Sequence, residues 1–371
     1  MKKLAFGVMR MPLLDKADSA SFDYEQIYKM VDLFIEKGFS HFDTANGYHG
    51  GASQGMIKKA LVSRHAREKY VLSTKLPPWS VSEAGDMEKI FNSQLEACGV
   101  EYFDYYLLHA LNRNYYKDVI EKFDAFGFVQ ERKSAGKIKQ VGFSFHDTPE
   151  ILEDILKKHH KQTDFIMLQI NYLDWEHPGV QAKKCYDIAR AYNIPIMVME
   201  PVKGGTLANV PKEVDDLFKA HDKNLSPASY AVRFAAGLDG VFSVLSGMSS
   251  LEQVSDNVSY MQDFKPLDKK ESALIAKARE IIESKVAIRC TYCGYCEDDC
   301  PKNIAIAGYF GLYNTLKAGD ANPFNQRMYY SALAEQKGKP SECIKCKKCE
   351  VVCPQKLEVI KHLGEVDKEF K

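Results

Sequence analysis

Residues 24–44 read YEQIYKMVDLFIEKGFSHFDT. Tyr24–Lys37 carries apolar side chains at helical spacing, and Gly38 follows where a helix C-terminus takes a left-handed residue. Ser40–Thr44 then reads as a short strand. Strand-like runs of this kind recur along the first 265 residues: Leu4–Val8, Ser40–Thr44, Tyr70–Thr74, Asp104–Leu108, Gln140–Phe143, Phe165–Gln169, Pro195–Met199 and Val241–Leu245. Amphipathic segments lie between most of them. Asp147 or Thr148 with Pro149 opens one such helix, and Ser226-Pro227 opens another. Several strands are short and largely apolar, as strands covered on both faces are. Eight strands with intervening helices predict a closed (β/α)₈ barrel rather than an open doubly wound sheet. No GxGxxG run follows an early strand, which argues against a Rossmann domain.

The chain has 371 residues, 45% apolar and 27% charged, an ordinary globular mixture with material for more than one domain. Lys plus Arg is 50 and Asp plus Glu is 50. That balance argues against a general nucleic-acid or anionic-membrane binder. No apolar run reaches the length of a membrane helix. Arg10 interrupts the stretch after Met1-Lys2-Lys3, so a signal peptide is not expected, and the expected location is cytoplasmic.

A barrel places its chemistry at the C-terminal ends of its strands and in the loops beyond. The second strand ends at Asp43, with Tyr48 in the following loop. The third ends at Lys75 and the fourth at His109. A phenol with a reference pKa of about 10 is a poor acid at neutral pH. A nearby ammonium favours phenolate and lowers that value, and a carboxylate fixes the ammonium. Tyr48 with Lys75 and Asp43 therefore reads as a tuned proton donor, and His109 as the group that orients a carbonyl oxygen.

These residues resemble the aldo-keto reductases from Leu4 to Met261. The likeness rests on Gly7-Val8-Met9-Arg10, Phe42-Asp43-Thr44-Ala45 with Tyr48, Lys75 after Ser73-Thr74, and His109. Gly142-Phe143-Ser144, Gln169-x-Asn171-Tyr172, Glu200 through Gly205 and Gly247 through Asn257 match the family's cofactor segments. The resemblance implies a (β/α)₈ barrel that reduces aldehydes and ketones with NAD(P)H. Tyr48 would be the proton donor, tuned by Lys75 and Asp43, and His109 would orient the carbonyl. The implied nucleotide contacts are Met9, Arg10, Asp43, Ser144, Gln169, Met199, Pro201, Val202, Gly204, Gly247, Gln253 and Asn257. Five positions depart from the family's usual pattern. Phe145 stands where many members have Asn, Met199 where many have an aromatic, and Glu200 where Ser is common. Gly247 and Gln253 lack the cations that clamp a 2′-phosphate in many members, so the cofactor is NAD or NADP with NAD favoured. Lys203 is expected to offset Glu200 beside the pyrophosphate.

Eight of the ten cysteines fall in the last 82 residues. Cys290-x₂-Cys293-x₂-Cys296-x₃-Cys300-Pro301 recurs 53 residues later as Cys343-x₂-Cys346-x₂-Cys349-x₃-Cys353-Pro354. This duplicates the bacterial ferredoxin run, in which the fourth cysteine ligates the other cluster. One [4Fe–4S] cluster is therefore assigned to Cys290, Cys293, Cys296 and Cys353, the other to Cys343, Cys346, Cys349 and Cys300. Paired zinc sites fit two identical four-cysteine runs poorly. The 42 residues between the runs read as helices at Ile304–Lys317 and Gln326–Gln336 around a turn at 319–323. The segment 268–284 reads as a charged connecting helix.

The expected organisation is a barrel over 1–265, a connection over 266–289 and a small, mainly helical two-cluster ferredoxin-like domain over 290–371. It resembles the ferredoxin-fused branch of the aldo-keto reductases. The expected activity is NAD(P)H-dependent reduction of a small carbonyl, or oxidation of an alcohol. A redox partner protein would exchange electrons with the clusters, and no nucleic acid or membrane partner is expected. Two other readings stand beside it: an iron–sulfur relay serving a partner, and redox-neutral chemistry with bound NAD(H).

Overall fold

A computed structural model of the protein describes residues 2–177, 180–317 and 323–370. Eight strands form a closed, all-parallel barrel in chain order, with β1 pairing β8. They are β1 (Leu4–Gly7), β2 (His41–Asp43), β3 (Val71–Leu76), β4 (Phe103–Leu111), β5 (Ile138–Phe145), β6 (Phe165–Gln169), β7 (Ile196–Met199) and β8 (Val241–Ser246). Each expected strand is present, with shifts of a few residues at its ends. β4 runs three residues beyond the expected end, through a register irregularity between Leu108 and Leu111. Ala110 there takes a left-handed φ of 52°.

The helix Tyr24–Glu36 shows how the barrel's outer layer is specified. Ile27, Met30, Val31 and Phe34 are its buried residues, the i, i+3, i+4, i+7 stripe of one helical face. Asp23 caps the N-terminus by accepting from the Gln26 amide. Gly38, at φ 79°, ends it as its sequence position suggests. Inside the barrel, Ala5, Leu107, Phe165, Met167, Met197 and Leu245 form one apolar cluster below the mouth. Alternate residues of a strand share a face. Asp43 and His41 on β2, and Lys75 and Ser73 on β3, accordingly project from one side of each strand.

By its contacts the chain divides into two compact units. The first comprises residues 1–176, 181–201 and 228–267; the second comprises 177–180, 202–227 and 268–371. Residues 202–227, which follow β7, thus group with the C-terminal part. The connecting segment folds as a helix over Lys269–Lys285, opened by a reciprocal capping box of Asp268 and Glu271. Within the second unit its Lys285 ammonium meets Glu213 at 2.6 Å.

Between the cysteine runs lie helices Ile306–Lys317 and Pro323–Gln336. Most of the expected turn at 319–323 lies outside the described residues. The final helix, Val359–Phe370, buries Val359, Leu363, Val366 and Phe370 against Ile304, Tyr309 and Phe310. This core includes Cys296 and Cys349. No helix among the described residues is long and apolar enough to cross a membrane.

Candidate active site and cysteine cavity

The strand ends bring Asp43, Tyr48, Lys75 and His109 together. Lys75 is 1% exposed, and its Nζ contacts Asp43 Oδ2 at 2.7 Å, the Thr44 carbonyl at 2.9 Å and the Tyr48 hydroxyl at 3.3 Å. The other Asp43 oxygen accepts from Ser73 Oγ at 2.7 Å. All three ammonium donors are directed, and a buried charge so paired keeps its position. The rings of Tyr48 and His109 stand 6.4 Å apart, close to edge-on.

The electrostatics correct one expectation. The Tyr48 phenol is pushed well above its ordinary value, first by burial and then by the carboxylates of Asp43 and Glu200, with Arg10 opposing. Lys75 was expected to pull it down. Loss of hydration is the largest cause, and the Asp43 carboxylate that holds Lys75 counters the ammonium's pull on the phenol. Burial, then Lys75 and His146, hold the His109 imidazole well below its ordinary range. At neutral pH the mouth therefore presents a protonated phenol and a neutral imidazole. His109 Nδ1 is buried without a hydrogen-bond partner in the chain.

Ser144 ends on β5 with its Oγ accepting from the Ala110 amide at 2.7 Å. That bond is available because Ala110 takes its left-handed turn. Gln169 and Asn171 both donate their amides to Asp174 Oδ2 at 2.8 Å, and Asn171 also donates to the Glu200 carbonyl. Asp174 is fully buried and was not singled out in the sequence. Its position three residues after Asn171 suits an Asx-type turn, the one available signal.

Arg10 lies 3.8 Å from Glu200 and beside Gly247, with Nη2 buried and unpartnered in the chain. Within the first unit Arg10 is thus a cation beside Glu200. Met9, Arg10, Met199 and Gly247 are each partly exposed at strand ends or just beyond, whereas Pro201 is buried. Gln253 accepts from the Ser249 amide, and Asn257 is bonded at both ends, to Ser246 Oγ and the Gln253 carbonyl. Val202, Lys203 and Gly204 group with the second unit.

Of the two tryptophans, Trp79 lies tilted against His109 at 5.0 Å and against Tyr115 at 6.2 Å. Trp175 instead packs against Tyr186 and Phe234.

His41 also escaped the sequence reading, although it lies two residues before Asp43 on the same face of β2. Its ring bridges Ser243 Oγ at 2.9 Å and Ser73 Oγ at 3.0 Å, so it supports the Ser73–Asp43–Lys75 chain from below. Burial lowers its pKa to about 4. The unfolded chain takes up that proton near pH 6.5, so between about 6.5 and 4 unfolding gains a proton and stability falls with pH. The shift corresponds to about 3 kcal/mol across this window. Urea titrations from pH 7 to 4 should show that loss, and His41→Gln should flatten it; an unchanged slope would remove His41 as its source.

In the second unit, Cys290, Cys293, Cys296 and Cys353 line one cavity, shared with Gln355 and Phe310. This is the crossed set, three thiols of the first run with the last of the second. Among the described residues no three His, Cys, Asp or Glu side chains converge as around a single ion; the four thiols instead surround a space. Burial pushes the Cys290 thiol up to about 12, with Cys293 and Cys353 adding to it. Thiolates at such a site need iron's charge to persist. Cys343 and Cys346 are neighbours of Cys349, whose thiol burial raises to about 11. Cys300 packs, partly buried, against the same C-terminal core.

Comparison with known proteins accords with this geometry. The aldo/keto reductase family model matches residues 3–280, and a 4Fe-4S dicluster domain model matches residues 289–358. A 9,11-endoperoxide prostaglandin H2 reductase of Trypanosoma cruzi is 27% identical over 232 residues, covering 61% of this chain and 74% of that protein. Glyoxal reductase of Bacillus subtilis is 24% identical over 202 residues, 53% of this chain and 65% of that protein. An aldo/keto reductase from Klebsiella pneumoniae, solved in complex with NADP and acetate, has the same fold. It matches with a TM-score of 0.60 at 20% identity, over 74% of this chain and 90% of that one. The chain belongs to the aldo/keto reductase family of oxidoreductases, here joined to a C-terminal 4Fe-4S dicluster domain.

Proposed function

We propose that residues 1–265 reduce the carbonyl of a small aldehyde or ketone, or run the reverse oxidation, with a nicotinamide dinucleotide as hydride partner. Residues 290–371 would carry two [4Fe–4S] clusters, joined through 266–289. The observation that carries the reading is the buried Lys75 ammonium held between Asp43 and the Tyr48 hydroxyl. A bound nicotinamide would supply the hydride. Ser144 has its oxygen taken by the Ala110 amide, so its hydroxyl proton is free to donate to a carboxamide. Gln169 gives its NH₂ to Asp174, which leaves its carbonyl end to accept. Met199 offers a polarizable sulfur to a ring face. The neutral His109 orients the substrate oxygen, and Tyr48 gives it a proton. As the phenol loses that proton, the Lys75 contact stabilises the negative oxygen. Trp79 and Tyr115 form an aromatic wall beside His109.

Cofactor choice is expected to favour NAD or to be indifferent. Gln253 brings no charge to the 247–257 segment, and Glu252 beside it would repel a 2′-phosphate. Lys203 and Arg233 are engaged elsewhere, with Gln355 and the Lys265 carbonyl. Calorimetry should give NADH an affinity at least equal to that of NADPH; a tenfold preference for NADPH, about 1.4 kcal/mol, would contradict this.

A second reading, electron entry from a partner through the clusters, is favoured by the loop of the second run. Cys346 is exposed there among Lys345, Lys347 and Lys348, with Ile344 and Val351 each 56% exposed. The face suits an acidic one-electron carrier. Cluster reduction by a reduced acidic [2Fe–2S] ferredoxin should slow steeply between low salt and ~0.5 M. A salt-independent rate would remove this face from the account.

A further inference from the structure

Lys203 belongs to a segment whose family resemblance would put it beside the dinucleotide. Its side chain is instead 1% exposed, and its Nζ donates to Gln355 Oε1 at 2.6 Å. Both residues belong to the second unit. The backbone around Lys203 is arranged for this contact. Lys203 itself is left-handed at φ 47°, and Gly204 follows at φ 63°. A Cβ on Gly204 would lie 2.4 Å from the Thr291 carbonyl oxygen, so only glycine lets the segment press against the first cysteine run.

Gln355 follows Cys353 by two residues and is 3% exposed. It lines the cavity together with Cys290, Cys293, Cys296 and Cys353. Its Nε2 is buried and has no hydrogen-bond partner in the chain. An ammonium has donors and no acceptor, so it can engage only the carbonyl end of an amide. Lys203 thereby fixes which way the amide is turned and leaves the NH₂ end unspoken for. Leaving such a donor unsatisfied is costly, and a chain avoids it when an acceptor is at hand. The acceptors this cavity can offer are the sulfurs of a cluster held by its four cysteines.

We infer that Gln355 donates an N–H···S hydrogen bond to the cluster of Cys290, Cys293, Cys296 and Cys353, and that Lys203 is the positioning residue that turns the amide toward it. The inference rests on the crossed-cluster reading above. Hydrogen bonds to the sulfurs and nearby positive charge both stabilise the reduced cluster, which carries one more electron. The pair therefore raises that cluster's reduction potential relative to the other. A residue within the stretch matched by the reductase family model thus sets a property of the iron–sulfur domain.

The test uses anaerobically purified holoprotein. With glutamine side chains labelled with ¹⁵N, pulsed electron-paramagnetic spectra of the reduced protein should show a weak ¹⁵N coupling at one of the two clusters. In redox titrations Gln355→Leu and Lys203→Met should each move one component to more negative potential and leave the other in place. Lys203→Arg, still a donor-only cation, should stay near the wild-type potential. Absence of the nitrogen coupling in wild-type protein, which needs no variant to fold, would overturn the inference. So would unshifted potentials in Gln355→Leu and Lys203→Met with full iron content. Wild-type protein without any [4Fe–4S] signal would instead sink the cluster reading on which the inference stands.

Discussion

Tyr48→Phe is expected to lower carbonyl reduction by ~10²–10⁴-fold, the range for removing a positioned general acid. The substitution deletes one hydroxyl and keeps the ring, so the fold and nucleotide affinity should stay near wild type. Calorimetry with NADH and a carbonyl-reduction assay on the same preparation separate these quantities. Turnover within a few-fold of wild type would remove Tyr48 from the mechanism. Lys75→Met should lose activity as severely for a different reason. It strands Asp43, a buried carboxylate, and breaking such a pair costs about 3–5 kcal/mol of stability. Tyr48→Phe is therefore the cleaner of the two. The pH profile follows from the same site. Reduction needs the protonated phenol, whose pKa lies well above 10, and the neutral imidazole, whose pKa lies well below 6.5. The rate should therefore be flat through neutrality, falling at high pH as Tyr48 ionises and at low pH as His109 takes up a proton.

The second large effect concerns the cluster wiring. Cys353→Ala removes a thiol from the cavity that Cys290, Cys293 and Cys296 line, so that cluster should be lost or reduced to a three-iron centre. Cys300→Ala should injure the other cluster, built on Cys343, Cys346 and Cys349, and spare the first. Iron analysis and electron-paramagnetic spectra of the two variants should show complementary losses. Loss of the Cys290-side cluster in Cys300→Ala would refute the crossing. The cysteine runs are tied through iron, so removing it should loosen this segment while the barrel, with its own core, stays folded.

The barrel was legible because its evidence is local. Alternation of short apolar strands with amphipathic helices can be read within each segment, and the Asp43, Tyr48, Lys75 and His109 set announces itself by residue type at strand ends. What could not be read depends on pairing across long separations. Lys203 meets Gln355 across 152 residues, and no periodicity or spacing in either segment signals that contact. The same holds for His41, whose Ser243 partner is 202 residues away. The direction of the Tyr48 shift was misjudged because residue identity reveals an ammonium but not how far the Asp43 carboxylate counters its pull, nor how completely water is excluded. The crossed cysteine set was legible only because the ferredoxin spacing itself encodes a long-range pairing.

Direct hydride transfer at the barrel mouth leaves an isotopic mark that deuterium labelling reads. Anaerobic holoprotein is supplied with NADH deuterated at the transferring C4 position and a panel of small aldehydes and ketones in ordinary water. The expected result is alcohol products carrying one deuterium on the former carbonyl carbon, formed by wild type and nearly abolished in Tyr48→Phe. Alcohol whose new carbon-bound hydrogen comes from solvent would contradict it, since electrons would then have reached the substrate one at a time through the clusters.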